Sequence, residues 1–194
     1  MDKVRIVRKT LETSVELSLD IDRDGTRSIS TSCGFLDHML NSMAVHGGFS
    51  LEVQASGDVD VDYHHVVEDV GICFGDALSE RLGNREGIFR YGSAIIPMDE
   101  SLCLVAVDIS GRPYLAVSGL PPEKRIGAFD VDLIPEFLRA FANHSAVTLH
   151  VSFLNFGNAH HAVEALFKGL GLSLSQAARR DPGATVAKSA KGRL

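Results

Sequence analysis

Two short stretches of this chain carry metal-ligand residues, and they echo each other. His64-His65-Val66-Val67-Glu68 returns as His160-His161-Ala162-Val163-Glu164, 96 residues later. The echo continues at the same offset through Gly75 and Gly171, Leu78 and Leu174, and Ser79 and Ser175. A repeat at fixed phase is the signature of a duplicated structural unit. On a helix, His64 and Glu68 share a face, and His65 also neighbours Glu68. Successive residues advance by about 100°, so His64 and His65 diverge and reach two different ions more naturally than they chelate one. A pseudo-symmetric partner helix would then supply a histidine to each ion from the opposite side. The pattern predicts two metal sites, each built from both halves.

One such motif alone reads as surface histidines or satisfied core histidines. The second copy at matching phase turns the reading toward metal. Further ligands are available at equivalent places. His38 stands 26 residues before the first pair and Glu136 stands 24 before the second. Each is a polar residue in an amphipathic apolar segment. A histidine and carboxylate set without thiolate suits manganese, iron or zinc, and an oxygen-rich six-coordinate site leans toward manganese.

An anion is expected beside these ions. Arg90, Arg112, Lys168, Lys188 and Lys191 lie outside the ligand set. Lys168 follows Glu164 by one helical turn and shares its face. An extra ammonium near two dications is costly unless an anion joins it, which points to a phosphorylated or carboxylated substrate.

Several elements must position these residues. Val15, Leu17, Leu19 and Ile21 alternate as a half-buried strand. Asp24-Gly25 turns the chain to a partner strand around 26–30. Leu36, Met39, Leu40 and Met43 mark a helix ended by Gly47-Gly48. Phe49, Leu51 and Val53 alternate again before the first His-His helix, which runs to about Leu82. The second half repeats the order, with a strand at 102–109, a turn at Gly111-Arg112-Pro113 and a short strand at 114–117. A helix through Leu133, Ile134, Phe137, Leu138 and Phe141 follows, then a strand through Val147, Leu149 and Val151, then the second His-His helix from about Ala159 to Ala178. Residues 85–99 read as a connector.

The expectation is an α+β fold, internally duplicated, of two strand–strand–helix–strand–helix halves. Its helices pack between and against two mostly antiparallel sheets. Residues 1–194 read as a single domain with halves of about 1–90 and 91–180, and 181–194 as a basic tail.

Composition narrows the function class. The chain has 194 residues, is 45% hydrophobic and carries a net charge of −6, which suits one compact enzyme and argues against nucleic acid as a partner. No apolar run reaches the length needed to span a bilayer, so no membrane is expected. The N-terminal residues lack a signal-peptide core. Cys33, Cys73 and Cys103 form no Cys-x-x-Cys pair and read as reduced thiols in a cytoplasmic protein.

Taken in order, several motifs resemble imidazoleglycerol-phosphate dehydratase of histidine biosynthesis. They are Phe35-Leu36-Asp37-His38-Met39-Leu40, Asp62-Tyr63-His64-His65-Val66-Val67-Glu68-Asp69, Pro97-Met98-Asp99-Glu100, Ser110-Gly111-Arg112-Pro113 and Asn158-Ala159-His160-His161 with its continuation to Lys168. The resemblance covers essentially the whole chain. It implies a cytoplasmic manganese lyase that converts imidazole glycerol phosphate to imidazole acetol phosphate, with two Mn2+ per active site. It also implies a homo-oligomer in which trimers assemble into a 24-mer, with sites completed between subunits.

Carried over by position, the resemblance assigns His38, His65, His160 and Glu164 to one ion. The other ion takes His64, Glu68, Glu136 and His161, with Glu136 standing where plant members carry histidine. Arg90, Arg112, Lys168, Ser189 and Lys191 match substrate- or phosphate-binding positions. His46 matches a substrate-binding position and Glu12 an acid/base one. Glu12, His46 and Lys168 are thus the expected catalytic residues, with His38 and Asp99 also expected at the substrate.

The implied reaction makes chemical sense. A vicinal diol loses water readily when a carbonyl sits beside the departing proton, and this substrate has none. Its imidazole ring would serve instead, with a metal on a ring nitrogen stabilising the imidazolate. Glu12 is the best candidate for moving protons, and Asp99 could share the role. The same ligand types also suit a dinuclear metallohydrolase acting on a phosphorylated small molecule, which would release phosphate, or a non-catalytic metal-binding shell protein.

Overall fold

The structure is a computed structural model and describes residues 3–184 and 188. The first half runs β1 (Val4–Lys9), β2 (Thr13–Asp20), β3 (Arg27–Ser30), α1 (Gly34–Gly47), β4 (Ser50–Gly57) and α2 (His64–Leu82). The second runs β5 (Tyr91–Met98), β6 (Ser101–Asp108), β7 (Tyr114–Ser118), the hairpin β8 (Arg125–Ile126) and β9 (Phe129–Asp130), α3 (Leu133–Ser145), β10 (Thr148–Asn155) and α4 (Ala159–Ala178).

The two main sheets have the same topology. Their orders are β1-β2-β4-β3 and β5-β6-β10-β7. In each, three strands are antiparallel and the last pair is parallel, joined through a helix. The register shows how deep the duplication goes. Val4 pairs with Leu19 as Gly92 pairs with Val107, an offset of 88. Arg27 pairs with Leu51 as Leu115 pairs with Leu149, so β4 and β10 are offset by 98. The extra ten residues enter between β7 and α3, where β8 and β9 form a hairpin absent from the first half. Two residues are then lost before α4, which restores the offset of 96 seen in the His-His motifs.

Each half has one more leading strand than its hydrophobic pattern suggests, and residues 85–99 are not a plain connector. β1 is an edge strand whose Val4 and Ile6 are masked by Arg5, Arg8 and Lys9. β5 is also an edge strand, which is where a proline such as Pro97 can be tolerated. Its Gly92 lets α4 come close, because a Cβ there would run into the Ser173 carbonyl.

The four helices form one layer between the sheets. α2 lies on β1, β2 and β4, and α4 lies on β5 and β6. α1 reaches from β3 to α4, and α3 from β7 to α2. The helices are therefore exchanged: the first helix of each half packs on the second helix of the other. The contacts match residue for residue. A Cβ on Gly75 would sit 2.8 Å from the Phe141 carbonyl and 2.9 Å from the Ser145 amide. A Cβ on Gly171 would collide with the Met43 carbonyl and sit 3.1 Å from the Gly47 amide. Met43 and Gly47 are the equivalents of Phe141 and Ser145, so one close crossing is used twice.

The core is continuous across the exchange. The Phe74 ring stacks 5.1 Å from Phe141 and 6.5 Å from Phe49, and Phe137 lies 5.4 Å from Phe167. All five are fully buried. Each such side chain contributes about 1.5–3 kcal/mol on leaving water. The helix ends are duplicated too. Gly48 after α1 and Ala146 after α3 are both left-handed, with φ of 66° and 51°.

Candidate metal centre

Both histidine pairs stand in the first turn of a helix, and each helix start is fixed by an Asx side chain. Asp62 accepts the His64 amide at 2.7 Å. Its equivalent, Asn158, accepts the amides of His160 at 2.8 Å and His161 at 3.4 Å. The side-chain oxygen satisfies amides that the helix itself leaves open and sets the phase in which the imidazoles leave it. His38 is placed by a bond that runs the other way. Asp37, beside it in α1, accepts the Thr31 amide at 2.8 Å and hydroxyl at 2.6 Å, which pins the start of that helix.

One metal-ligand cluster is assembled within the chain. His38, His160 and Glu164 bring one donor atom each within 4.8 Å of one another. Glu164 Oε2 lies 3.6 Å from His38 Nε2 and 3.5 Å from His160 Nε2. The other oxygen, Oε1, accepts from Lys168 Nζ at 2.9 Å. Burial alone would push the Glu164 carboxyl up, but the hydrogen bond and charge of Lys168, with His38 and His160, outweigh it and hold it below the usual glutamate range. The cluster is braced from the inserted hairpin. Phe129 packs 4.9 Å from Phe35, whose ring meets His160 edge-on at 5.3 Å.

The remaining expected ligands stand elsewhere. His64 Nε2 faces Glu68 at 4.0 Å on α2. His65 lies with Glu12 and Asp58, and His161 with Asp99 and Glu100. Glu136, in the first turn of α3, pairs with Arg139 at 3.2 Å. α2 packs on α3 and α4 on α1, so the two His-His helices do not cross as a pair within one chain. His46 is exposed in the last turn of α1, about 12 Å along the axis from His38.

The donor chemistry fits a borderline-hard divalent cation. It consists of imidazole and carboxylate only. The three cysteines are buried, and burial pushes the Cys73 and Cys103 thiols up to about 12, so they stay protonated and take no part.

Glu12 is carried to His65 by a tied turn. The Glu12 amide donates to Thr10 Oγ1 at 3.1 Å, and the Thr13 hydroxyl donates to buried Asp69 on α2. Arg8 Nε donates to the same Asp69 at 2.8 Å. The Glu12 carboxylate ends 3.7 Å from His65 Nε2. Hydrogen bonding to Asp58 raises the His65 imidazole above the ordinary histidine range.

A second cluster gathers cations. Buried Arg90 donates Nε and Nη2 to Asp108 at 2.7 and 3.1 Å, and that pairing raises its already high basicity. It also donates Nη1 to the Lys188 carbonyl. Arg112 is exposed, 3.8 Å from the same Asp108. Lys188 lies over the Phe89 ring at 4.6 Å. Ser189 and Lys191 fall outside the described residues.

The two clusters are far apart. The Arg90 amide donates to the Ala177 carbonyl at the C-terminal end of α4, whereas His160 is at its N-terminal end. Seventeen residues of helix separate them, about 26 Å. The strands agree: Asp108 and Tyr91 close one end of the β5–β6 pair, and Met98, which touches Lys168 Nζ at 3.3 Å, stands at the other. One small phosphorylated molecule cannot touch both clusters of one chain.

Sequence reasoning missed Asp58 and Glu100 as partners of the histidines, and it missed the hairpin. Arg125 on β8 lines two clefts. One, of about 490 Å³, adjoins Asp62 and Tyr63 at the start of α2; the other, of about 360 Å³, adjoins Asn158 and His160 at the start of α4. The only signal was the ten-residue change in repeat offset, which needs the structure to become visible.

Comparison with known proteins gives one consistent answer. The family model described as imidazoleglycerol-phosphate dehydratase matches residues 31–174. A protein of that name from Geobacter metallireducens is 50% identical over 192 residues, covering 99% of this chain and 98% of its own. The one from Moorella thermoacetica is 51% identical over 189 residues, covering 97% and 96%. The crystal structure of imidazoleglycerol-phosphate dehydratase from Staphylococcus aureus superposes with a TM-score of 0.83 at 38% identity, covering 91% of this chain and 98% of that one. The Pyrococcus furiosus structure gives 0.85 at 38% identity, covering 97% and 100%. Among the described residues, no helix is long and apolar enough to cross a membrane.

Proposed function

The chain belongs to the imidazoleglycerol-phosphate dehydratase family of hydro-lyases, and from that premise we propose that it performs the manganese-dependent dehydration of imidazole glycerol phosphate to imidazole acetol phosphate in the cytoplasm. The observation that carries the proposal is the convergence of His38, His160 and Glu164 on one point, with Lys168 on the outer oxygen of Glu164. Two Mn2+ would be held per active site, one by His38, His65, His160 and Glu164, the other by His64, Glu68, Glu136 and His161. When bound, manganese would supply Lewis acidity to the imidazole ring of the substrate.

The chain's own residues divide the remaining work. Arg112 offers a planar fork to the phosphate, and Arg90, Ser189 and Lys191 complete that pocket. Lys168 offers an ammonium beside the metal cluster, and His46 a further contact to substrate. Glu12, exposed and backed by its tied turn, takes the proton from C2, with Asp99 as a second carboxylate at the substrate. The separation of about 26 Å between the histidine and arginine clusters supports a site that uses both only by joining neighbouring copies. The reading is therefore a homo-oligomer with active sites at its subunit contacts, and the family resemblance implies that it is a 24-mer of trimers.

One incubation tests the reading. Manganese-loaded protein and imidazole glycerol phosphate should yield the ketone with the phosphate ester intact. Release of inorganic phosphate with no ketone would instead identify a dinuclear metallohydrolase.

A further inference from the structure

The duplication places two carboxylates at matching positions beside the second histidine of each pair. Glu12 and Glu100 are 88 residues apart, the offset of the strands they adjoin, and His65 and His161 are 96 apart, the offset of their helices. Yet the two carboxylates meet different atoms. Glu100 places both oxygens 3.2 Å from His161 Nδ1. Glu12 lies 3.7 Å from His65 Nε2, the far side of the ring.

Asp58 accounts for the difference. Its oxygens lie 2.9 and 3.2 Å from His65 Nδ1 and occupy the place that Glu100 takes at His161. Asp58 follows β4 directly, in the loop where the second half is two residues shorter, and the equivalent position after β10 is Phe156. Each ring thus has one carboxylate hydrogen-bonded to Nδ1, but from a different part of the chain, with Asp99 farther off at 3.9 Å from His161 Nδ1. A carboxylate there accepts Nδ1–H and leaves the Nε2 lone pair free and more basic for a cation. The trios of His65 with Glu12 and Asp58 and of His161 with Asp99 and Glu100 are on this account metal ligands with their braces rather than further cation sites.

We propose that Asp58 and Glu100 are positioning residues, each holding its histidine protonated at Nδ1 and bare at Nε2, and that Asp58 by doing so releases Glu12 to the metal-facing side of His65. The proposal rests on the reading that His65 and His161 are manganese ligands. It also explains why one of two equivalent glutamates is left for proton transfer while the other is not.

The test uses the full chain with Asp58→Ala, Asp58→Asn, Glu100→Ala and Glu100→Gln. Imidazole ¹⁵N shifts of the metal-free protein, read above the histidine titration range, report the tautomer of each ring, and a Mn2+ titration reports affinity. Each alanine variant should mix the tautomers of its own histidine and weaken Mn2+ binding by about 10–100-fold. The Asn and Gln variants keep an acceptor oxygen and should restore the Nδ1–H form and most of the affinity. Alanine variants with wild-type tautomers and affinity would overturn the proposal. So would a wild-type His65 or His161 protonated at Nε2, a result that needs no variant to fold. Wild-type protein that takes up no Mn2+ but shows the tautomer change in the alanine variants would retain the brace and discard the ligation reading.

Discussion

The outer faces of the two sheets are equivalent in register and opposite in character. On the first, Glu16 of β2 stands among Arg5, Lys9, Ser14, Glu52 and Gln54, with Val7 as a lone exposed apolar side chain. On the second, Leu104 occupies the place of Glu16, Ile95 that of Val7 and Leu102 that of Ser14, and Leu154 sits in the bulge that shifts β10 against β6. Ile95, Tyr91, Tyr114 and Leu154 are each more than half exposed. Several large apolar side chains exposed on one sheet face of a small chain mark an interaction surface. Duplication preserved the inward faces because both halves bury them against the same helix layer. The outward faces were free to diverge, and the second became the more apolar of the two.

That contrast yields the largest predicted effect. Leu104→Glu gives the second sheet the residue of the first and should abolish the proposed large assembly, read by light scattering in the presence of Mn2+. Glu16→Leu should leave the assembly intact. A Leu104→Glu protein with wild-type mass would break the comparison.

The next contrast is between the equivalent glutamates. Glu12→Gln should lower kcat roughly 10²–10⁴-fold, the usual worth of a positioned proton-transfer group, with metal content and KM near normal. Glu100→Gln, which retains its acceptor, should keep most of its kcat. Metal loss from the Glu12→Gln protein would make Glu12 a ligand and end the distinction.

A smaller difference separates the corners after β2 and β6, where Arg112 matches Asp24. Arg112→Ala should raise KM by a charged hydrogen bond's worth, about 1.5–3 kcal/mol. Steady-state kinetics of Asp24→Ala should show no change. Equal effects from both would dissociate Arg112 from the phosphate.

Lys168 matches Ile72, so Glu164 has an ammonium partner one turn on that Glu68 lacks. A carboxylate held below its ordinary range stabilises the fold above that range, and the contribution is lost as pH falls through its folded value. Metal-free protein should therefore lose stability below the ordinary glutamate range. Lys168→Met should reduce the acid-dependent part of that loss in thermal melts, and an unchanged pH profile would refute the linkage.

The smallest effect is at the helix ends. Ala146 holds the left-handed conformation that Gly48 adopts without strain. Ala146→Gly should stabilise the chain by a few tenths to about 1 kcal/mol, the relief of strain offset in part by a freer unfolded state. A lower melting temperature would mean that the Ala146 methyl contributes more by packing than it costs in strain.

Much of the fold was legible in residue patterns. The four helices, β2, β4 and β10 announce themselves by period, because each presents one face to the helix layer or the sheets, whereas β6 shows as an apolar run and β3 and β7 follow from the turns before them. β1 and β5 do not, since edge strands carry charges and a proline that blur alternation. The β8–β9 hairpin is too short to have a period at all. Of the site, the ligand types and the Glu164–Lys168 pair could be read from helical spacing. The His38–His160 meeting could not, because it depends on α1 packing against the helix of the other half. Asp58 and Glu100 were equally hidden, since a loop residue becomes a histidine partner only through the approach of distant strands.

The helix exchange means that the molecule is two half-length chains fused in a clasp. Separated within 84–90, each fragment would expose a helix face whose only complement is on the other fragment. Neither should fold by itself, and the two co-expressed should recombine, with Gly75 and Gly171 as the paired contact points. Circular dichroism of each fragment and of the mixture would decide this, and an independently folded half would refute it. A single ancestral half could satisfy both crossings with a copy of itself, so the present interior retains the form of a two-fold symmetric dimer whose partners became one polypeptide.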